Sequence, residues 1–274
     1  MRSFKFDFLF LFFSFMPNPS VKTTVRKSHR ITKKTVQAKK TSRVSTKKTQ
    51  IVSPLFDILE ETHLENAVQH FKQHDPKLAA YLDDTTVDLF RERLTKYNGY
   101  HPFMSLAKSI VYQQIHGKAA ASIYGRFLQL FEPNTDEPNW FPTPEQILAK
   151  DIDQLRSAGL SARKVEYIRD LATKFKEKHI TPEAFDQMSA QEISDQLCAV
   201  KGIGQWTVDM FLMFYLRHPD VLPLGDLAVR KGVASHFGLP LKFRNEQLTE
   251  LTDIWRPYRS LGAWLMWHTA DTTL

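Results

Sequence analysis

Apolar residues recur at helical spacing along most of the chain after about residue 54, and glycine or proline residues separate the periodic segments. In residues 162–178, one helix face is formed by apolar side chains three or four positions apart, namely Val165, Ile168, Leu171, Ala172 and Phe175. No alternating stretch is long enough to predict a sheet. The pattern therefore predicts an all-α fold.

Start signals place the other helices. His101 and the proline after it predict a helix through Val111, and Lys118 opens another that extends to residue 131. Thr143 and Ser161 are predicted N-caps. Residues 206–216 are apolar almost all round, which is typical of a helix buried on most faces. Further helices are predicted after Asp226 and over residues 245–254 and 258–268.

The basic character of the chain is concentrated at its start. The formal net charge is +7, yet residues 1–50 hold 13 Lys and Arg against one acid, and the remainder holds 24 basic and 29 acidic residues. We therefore expect a disordered basic tail with a short apolar start over residues 1–52 and a folded domain over 53–274. Such a tail adds salt-sensitive attraction to a polyanion.

Targeting signals in the tail leave several interpretations open. The apolar run at residues 8–16 is too short to span a bilayer, and no small-x-small cleavage site follows it, so no membrane partner is expected. A membrane anchor, an incorrectly assigned start and a mitochondrial-type leader are the alternatives. Basic pairs at residues 26–27 and 33–34 are typical of nuclear import. The single cysteine, Cys198, excludes an intramolecular disulfide framework and a cysteine-ligated cluster.

One stretch combines three features that suggest chemistry. The sequence K-G-I-G at 201–204 predicts a hairpin between two helices, and Trp206 and Thr207 begin the second helix, whose first-turn N–H groups suit an anion. The sequence L-P-L-G-D at 222–226 then delivers the Asp226 carboxylate to another helix start. Taken singly, the glycines are often only a tight turn, the aspartate only an N-cap, and the tryptophan only a core residue.

Together these residues resemble the helix-hairpin-helix DNA glycosylase superfamily, whose signature is L-x-G-[IV]-G, a Gly/Pro-rich loop and a catalytic Asp. The resemblance covers roughly residues 70–270. It implies a two-lobed helical fold with a cleft between the lobes, the hairpin and Asp226 lying on one side and Gln114 on the other. The sequence Q-Q-x-x-G-K-A-A from residue 113 resembles the DNA-wedge turn of the family.

Substitutions within the motif select a branch. Relatives with lyase activity carry a Schiff-base lysine where this chain has Trp206, and the iron–sulfur branch needs four cysteines that this chain lacks. The sequence W-R-P-Y-R-S at 255–260 resembles the fungal-like DNA-3-methyladenine glycosylase II (alkylpurine) branch. That resemblance implies a monofunctional hydrolase of base excision repair that removes 3-methyladenine and 7-methylguanine, with Asp226 stabilising an oxocarbenium-like sugar.

The resemblance also implies roles for individual residues. Trp206 and Trp267 match positions that contact the base, and Phe103 and Trp140 are further aromatic candidates. Gln114 would fill the gap left by a flipped nucleotide and His116 would contact the minor groove. The phosphate would be bound by Lys201, Gly202, Gly204 and Thr207. No cofactor is required, although the family holds a Na⁺ or K⁺ ion on hairpin carbonyls that match Cys198, Val200 and Gly202.

The expected partner is double-stranded DNA containing alkylated bases, bound by a monomer in the nucleus, with a mitochondrial fraction as the alternative. The second functional hypothesis is a non-catalytic helix-hairpin-helix protein that binds damaged DNA and has no need of Asp226. Gly225 stands where the family often has a second Asp, and Leu227 replaces an aromatic residue of some members. The loss of the aromatic residue predicts a narrower or weaker pocket that excludes bases with large adducts.

Overall fold

The computed structural model describes residues 59–132 and 137–272, and every regular element within those ranges is helical, which confirms the all-α prediction. The tail of residues 1–52, with its apolar run and basic pairs, lies outside the described residues. The cleft between two lobes stays a prediction. The α-helices, numbered here in chain order, are α1 Glu61–His74, α2 Pro76–Ala79, α3 Asp84–Thr95, α4 Pro102–Tyr112, α5 Gly117–Gln129, α6 Pro144–Ala149, α7 Ile152–Ser157, α8 Ala162–Lys176, α9 Ala190–Cys198, α10 Gln205–Met210, α11 Leu227–Phe237, α12 Asn245–Leu251 and α13 Arg259–Thr272.

Side-chain caps explain why several helices begin where they do. The Thr143 hydroxyl accepts from the N–H of Gln146, whose side-chain oxygen accepts in return from the N–H of Thr143. The Ser161 hydroxyl accepts from the N–H of Lys164 at the start of α8. These bonds satisfy N–H groups that have no partner within the helix, so both predicted N-caps are confirmed.

The helix predicted over residues 206–216 forms with a change of winding. Its first part is α10, and the π-helix Phe211–Tyr215 continues it, with the N–H of Leu216 donating to the carbonyl of Phe211 at 3.0 Å. The rings of Phe211 and Tyr215 stack with centroids 4.6 Å apart. Single π turns occur frequently at functional sites, and this one lies directly after the predicted hairpin.

Two short 3-10 helices, Pro182–Gln187 and Asp253–Trp255, complete the secondary structure of the described ranges. The segment predicted as one helix over 245–254 is therefore α12 followed by a 3-10 turn. Trp255 is fully buried, and its indole N–H donates to Oδ2 of Asp75 at 2.8 Å. The same carboxylate accepts from Nε2 of His236, so it links α11 and the second 3-10 turn to the start of α2.

Helices α11 and α13 approach each other closely at Gly232. A Cβ atom at that position would lie 2.7 Å from Cβ of Met266 and 2.8 Å from its carbonyl oxygen, so only glycine permits this separation. Trp267 follows Met266 on α13, and Asp226 precedes α11. The close packing of the two helices therefore brings Trp267 to the carboxylate of Asp226.

No helix in the two described ranges is both long and apolar enough to cross a bilayer.

Candidate active site

Asp226 is the buried carboxylate around which the site is built. It is the N-cap of α11, is 4% exposed, and accepts at Oδ1 from the N–H groups of Ala228 and Val229, each at 2.9 Å. The positive end of the helix dipole favours an anion at this position.

Two indoles fix the orientation of this carboxylate. Trp206 donates from Nε1 to Oδ2 at 2.8 Å, and Trp267 donates from Nε1 to Oδ1 at 3.0 Å. Asp226 thus accepts from four N–H groups, a set that suits an ionised carboxylate because that form offers acceptor sites alone. The two tryptophans lie sixty-one residues apart in the chain. Tertiary packing, rather than a local sequence motif, directs both indole N–H groups to the Asp226 carboxylate.

A pocket of about 360 Å³ is lined by Trp206, which also donates to Asp226, although Asp226 itself does not line the pocket. Four residues that the sequence singled out line it together: Gln114, Gly202, Trp206 and Thr207. They come from the turn after α4, from the hairpin and from the first turn of α10. Trp206 both lines the pocket and donates to Asp226, so this one side chain connects the pocket to the carboxylate.

Sequence reasoning missed the other aromatic walls of the pocket, which are Tyr97, Tyr167, Phe211 and Tyr215. The hydroxyl of Tyr215 donates to the carbonyl of Tyr100 at 2.7 Å, and burial raises the pKa of Tyr215 to about 12. The π turn places Phe211 and Tyr215 side by side on the pocket wall. No motif distinguishes these rings from the core aromatics that surround them.

The remaining aromatic candidates lie elsewhere. Phe103 is 2% exposed and packs against Phe141 and Phe175 in the core, so the structure does not bring it to the pocket. Trp140 is half-buried and does not line the pocket either. Trp267 is 7% exposed and donates to Asp226, but it does not line the pocket. His116 is the exposed N-cap of α5, two residues beyond Gln114.

The hairpin has the backbone geometry that its glycines suggest. Gly202 adopts φ +81°, and a Cβ there would lie 2.1 Å from the Tyr167 ring. Gly204 is the N-cap of α10, with open space where its Cβ would be. The N–H of Thr207 donates to the carbonyl of Gly204 at 2.9 Å, so its hydroxyl, and not its N–H, is the group that remains for a ligand.

Lys201 is held by two acidic residues of α8. Its N–H donates to Oδ2 of Asp170 at 2.8 Å, and its ammonium pairs with the Glu166 carboxylate at 2.7 Å. The hydrogen bond and charge of Glu166 raise the pKa of Lys201. Both partners of the ion pair are exposed, so the contact is salt-sensitive.

A second buried carboxylate, Asp209, accompanies Asp226. It is 5% exposed and accepts at Oδ1 from Nε2 of Gln205 at 2.8 Å, while Oε1 of Gln205 accepts from the hydroxyl of Ser194 at 2.9 Å. Burial raises the pKa of Asp209 to about 6, and the charge of Asp226 acts in the same direction. The sequence analysis did not identify Asp209, although an acidic residue inside an otherwise apolar helix is a signal that could have done so.

The carbonyls matched to a cation site lie where α9 turns into the hairpin. The carbonyl of Val200 accepts from the N–H of Ile203 at 3.1 Å, and that of Gly202 accepts from Nε2 of Gln113 at 2.8 Å. A carbonyl oxygen has two acceptor sites, so each of these two keeps one. Cys198, the third of the set, ends α9, where carbonyls lack intrahelical partners. This donor set of neutral oxygens fits a hard monovalent cation.

In this helical chain one tryptophan joins a buried, helix-capping carboxylate to an aromatic pocket that a glycine hairpin also lines, an arrangement that suits a DNA base-excision protein. Residues 107–257 match the family model of the HhH-GPD superfamily base excision DNA repair proteins, and the chain belongs to this family.

Two relatives from Schizosaccharomyces pombe illustrate the similarity. DNA-3-methyladenine glycosylase 1 is 34% identical over 170 residues, which are 62% of this chain and 72% of the relative. The alkylbase DNA glycosidase-like protein mag2 is 30% identical over 175 residues, or 64% of this chain and 80% of the relative. The solved structure of the S. pombe 3-methyladenine DNA glycosylase with abasic DNA aligns with a TM-score of 0.53 at 30% identity, covering 75% of this chain and 97% of that one.

Proposed function

We propose that this protein is a monofunctional DNA glycosylase that hydrolyses the N-glycosidic bond of alkylated purines, 3-methyladenine and 7-methylguanine among them, in base excision repair. The observation that carries the proposal is the buried Asp226 carboxylate, which accepts a hydrogen bond from Trp206, a residue that lines an aromatic pocket. Membership of the family and the names of the two S. pombe relatives support it.

The pocket suits a flipped, positively charged purine. Alkylation at a ring nitrogen leaves a positive charge on the base, and each aromatic face that stacks on a cation contributes about 0.5–2 kcal/mol. Trp206 and Tyr215 are among the aromatic residues that line the pocket and are our candidates for this stacking. Because the charged base is already a good leaving group, the site needs no strong general acid. Undamaged bases are neutral and gain less from the same walls.

Asp226 provides the charge that the sugar needs. As the glycosidic bond breaks, the anomeric carbon becomes oxocarbenium-like, and a fixed anion beside it stabilises that transition state. The hydrogen bonds from Trp206 and Trp267 hold the carboxylate in one orientation before DNA arrives. Asp226 then orients the attacking water and accepts its proton.

Three of the proposed DNA-binding residues, Gln114, Gly202 and Thr207, line the same pocket. Gln114 would replace the flipped nucleotide in the base stack, and His116 would contact the minor groove two residues away. The phosphate next to the lesion would be bound by the hairpin residues Gly202 and Gly204 and by the Thr207 hydroxyl. When present, a monovalent cation on the carbonyls of Cys198, Val200 and Gly202 would add positive charge at that phosphate. The basic tail would carry the protein to the nucleus.

A second candidate, non-catalytic binding of damaged DNA, rests on the hydrogen bonds that Asp226 makes as a helix cap. An aspartate whose sole role is to cap α11 would leave the pocket as a recognition site. One product distinguishes the two candidate functions: a glycosylase releases the free base, and a non-catalytic binding protein does not.

The test is incubation of the full-length protein with methylated DNA, followed by chromatography of the released bases. We expect free 3-methyladenine and 7-methylguanine, and strands that break at abasic sites only after hot alkali. Strand cleavage without alkali, or covalent trapping by borohydride, would contradict the monofunctional assignment. Binding without any released base would support the non-catalytic candidate.

A further inference from the structure

The turn after α4 holds Gln114 in an unusual backbone conformation. Gln114 adopts φ +57°, in the left-handed region that non-glycine residues seldom occupy. Its side chain is exposed at the pocket that Gly202 also lines. A non-glycine residue keeps such a conformation when its surroundings impose it, so the contacts of this turn show what holds it.

Lys164 is the first of these contacts. Its ammonium reaches from the first turn of α8 to the end of α4 and donates to the carbonyls of Val111 and Gln113, each at 2.7 Å. Carbonyls at the end of a helix lack intrahelical donors, and a cation there also interacts favourably with the helix dipole. Lys164 is half-buried, and desolvation lowers its pKa to about 8. Both hydrogen bonds end at the residues that lead into Gln114.

Gln113 is the second contact, and it joins this turn to the hairpin. Its carbonyl accepts from Lys164, while its Nε2 donates to the carbonyl of Gly202 at 2.8 Å. One turn further along α8, the ring of Tyr167 lies against Gly202. Helix α8 therefore contacts both the turn that carries Gln114 and the hairpin, and Gln113 links the two directly.

We propose that Lys164 and Gln113 form a wedge clamp, a pair of positioning residues that holds Gln114 at a fixed place relative to the hairpin. The proposal rests on the proposed function, in which Gln114 fills the space of the flipped nucleotide while the hairpin binds the adjacent phosphate. With both groups held in advance, DNA binding does not have to order the turn. Lys164 does not line the pocket and acts through the turn that carries Gln114, whereas Gln113 lines the pocket and also links the turn to the hairpin.

The experiment is a double-mutant cycle on single-turnover excision from a duplex containing one 7-methylguanine. Lys164→Met removes the ammonium of Lys164 at similar side-chain length, and Lys176→Met makes the same change in the exposed last turn of α8. We expect Lys164→Met to slow excision about tenfold, Lys176→Met less than twofold, and Lys164→Met to have no further effect in the Gln114→Ala background.

A second variant keeps the test independent of folding. Gln113→Leu removes the bond to Gly202 and leaves both carbonyl acceptors of Lys164 in place, and it too should lose its effect once Gln114 is alanine. A 2-aminopurine next to the lesion should report slower unstacking in both clamp variants. Equal slowing by Lys164→Met in the two backgrounds would overturn the clamp, as would wild-type rates in both clamp variants. A wild-type rate for Gln114→Ala itself would instead refute the wedge role assigned under the proposed function.

Discussion

The indole nitrogen of Trp206 donates to Oδ2 of Asp226 at 2.8 Å, so a residue that lines the pocket also orients the carboxylate. This link ties recognition of the base to stabilisation of the sugar. Trp267 donates to the other carboxylate oxygen, Oδ1, at 3.0 Å. Trp206 and Trp267 therefore contribute to the site through their indole N–H groups, which orient the Asp226 carboxylate.

Trp206→Phe separates these two properties because it keeps an aromatic face and removes the N–H donor. A hydrogen bond to a charged group contributes about 1.5–3 kcal/mol, so we expect the single-turnover excision rate to fall by about tenfold or more. Affinity for abasic DNA should change little. Trp140→Phe makes the same change outside the pocket and should retain the wild-type rate. Equal rates for the two variants would show that the indole N–H has no catalytic importance.

Much of the fold could be predicted from the sequence because its helices carry strong local signals. The apolar face of α8 and the caps at Thr143 and Ser161 follow from spacing and side-chain type, and the structure has them where predicted. Local sequence signals do not distinguish a π turn from an α turn, so the sequence does not predict the π turn after Met210. It is visible only in the i→i+5 hydrogen bond from Leu216 to Phe211.

The candidate site was predictable where chemistry requires a rare residue in a fixed register, as at Asp226 and the hairpin glycines. Aromatic residues lack this property, because a ring fits a core and a pocket equally well. The sequence therefore pointed to Phe103, which lies in the core, and gave no signal for Tyr215, which lines the pocket. The hydrogen bond from Trp267 depends on the close approach of α11 and α13 at Gly232, which no local pattern encodes.

The hairpin offers a matched pair of glycine variants. Gly202→Ala combines a left-handed φ of +81° with a Cβ placed 2.1 Å from the Tyr167 ring, so we expect it to lower the free energy of unfolding by about 1–3 kcal/mol. Gly204→Ala meets open space and should cost at most about 1 kcal/mol as an N-cap change. Urea denaturation of both variants measures the difference. Equal stabilities would contradict the described hairpin geometry.

Glu166 restrains the lysine of the hairpin, and its removal should strengthen DNA binding. Glu166→Gln frees the Lys201 ammonium and removes a negative charge beside the proposed phosphate site. We expect a several-fold lower Kd for abasic duplex DNA and a salt dependence steeper by about one counterion. Glu65→Gln on α1 makes the same change in net charge and serves as the control. A common shift in both variants would assign the effect to net charge alone.

Asp209 makes the free energy of unfolding depend on pH. Its folded pKa of about 6 lies above the ordinary aspartate value of 3.8, so the folded state binds the proton more tightly and stability falls as pH rises through this window. The destabilisation caused by ionising the buried Asp209 carboxylate is complete above about pH 6 and absent below about pH 4. Asp209→Asn should therefore stabilise the protein at pH 7.5, on the order of 1–3 kcal/mol, and less at pH 4.5. Urea denaturation at the two pH values measures this, and a gain that is independent of pH would refute it.

The most direct test compares Asp226→Asn with Asp151→Asn. Both aspartates are N-caps whose oxygens accept backbone N–H bonds, and asparagine caps helices about as well as aspartate does. We predict that Asp226→Asn lowers the release of 3-methyladenine and 7-methylguanine from methylated DNA by about 100-fold or more while binding of abasic DNA persists, and that Asp151→Asn keeps the wild-type rate. Wild-type release by Asp226→Asn would contradict the account and leave the residue as a helix cap.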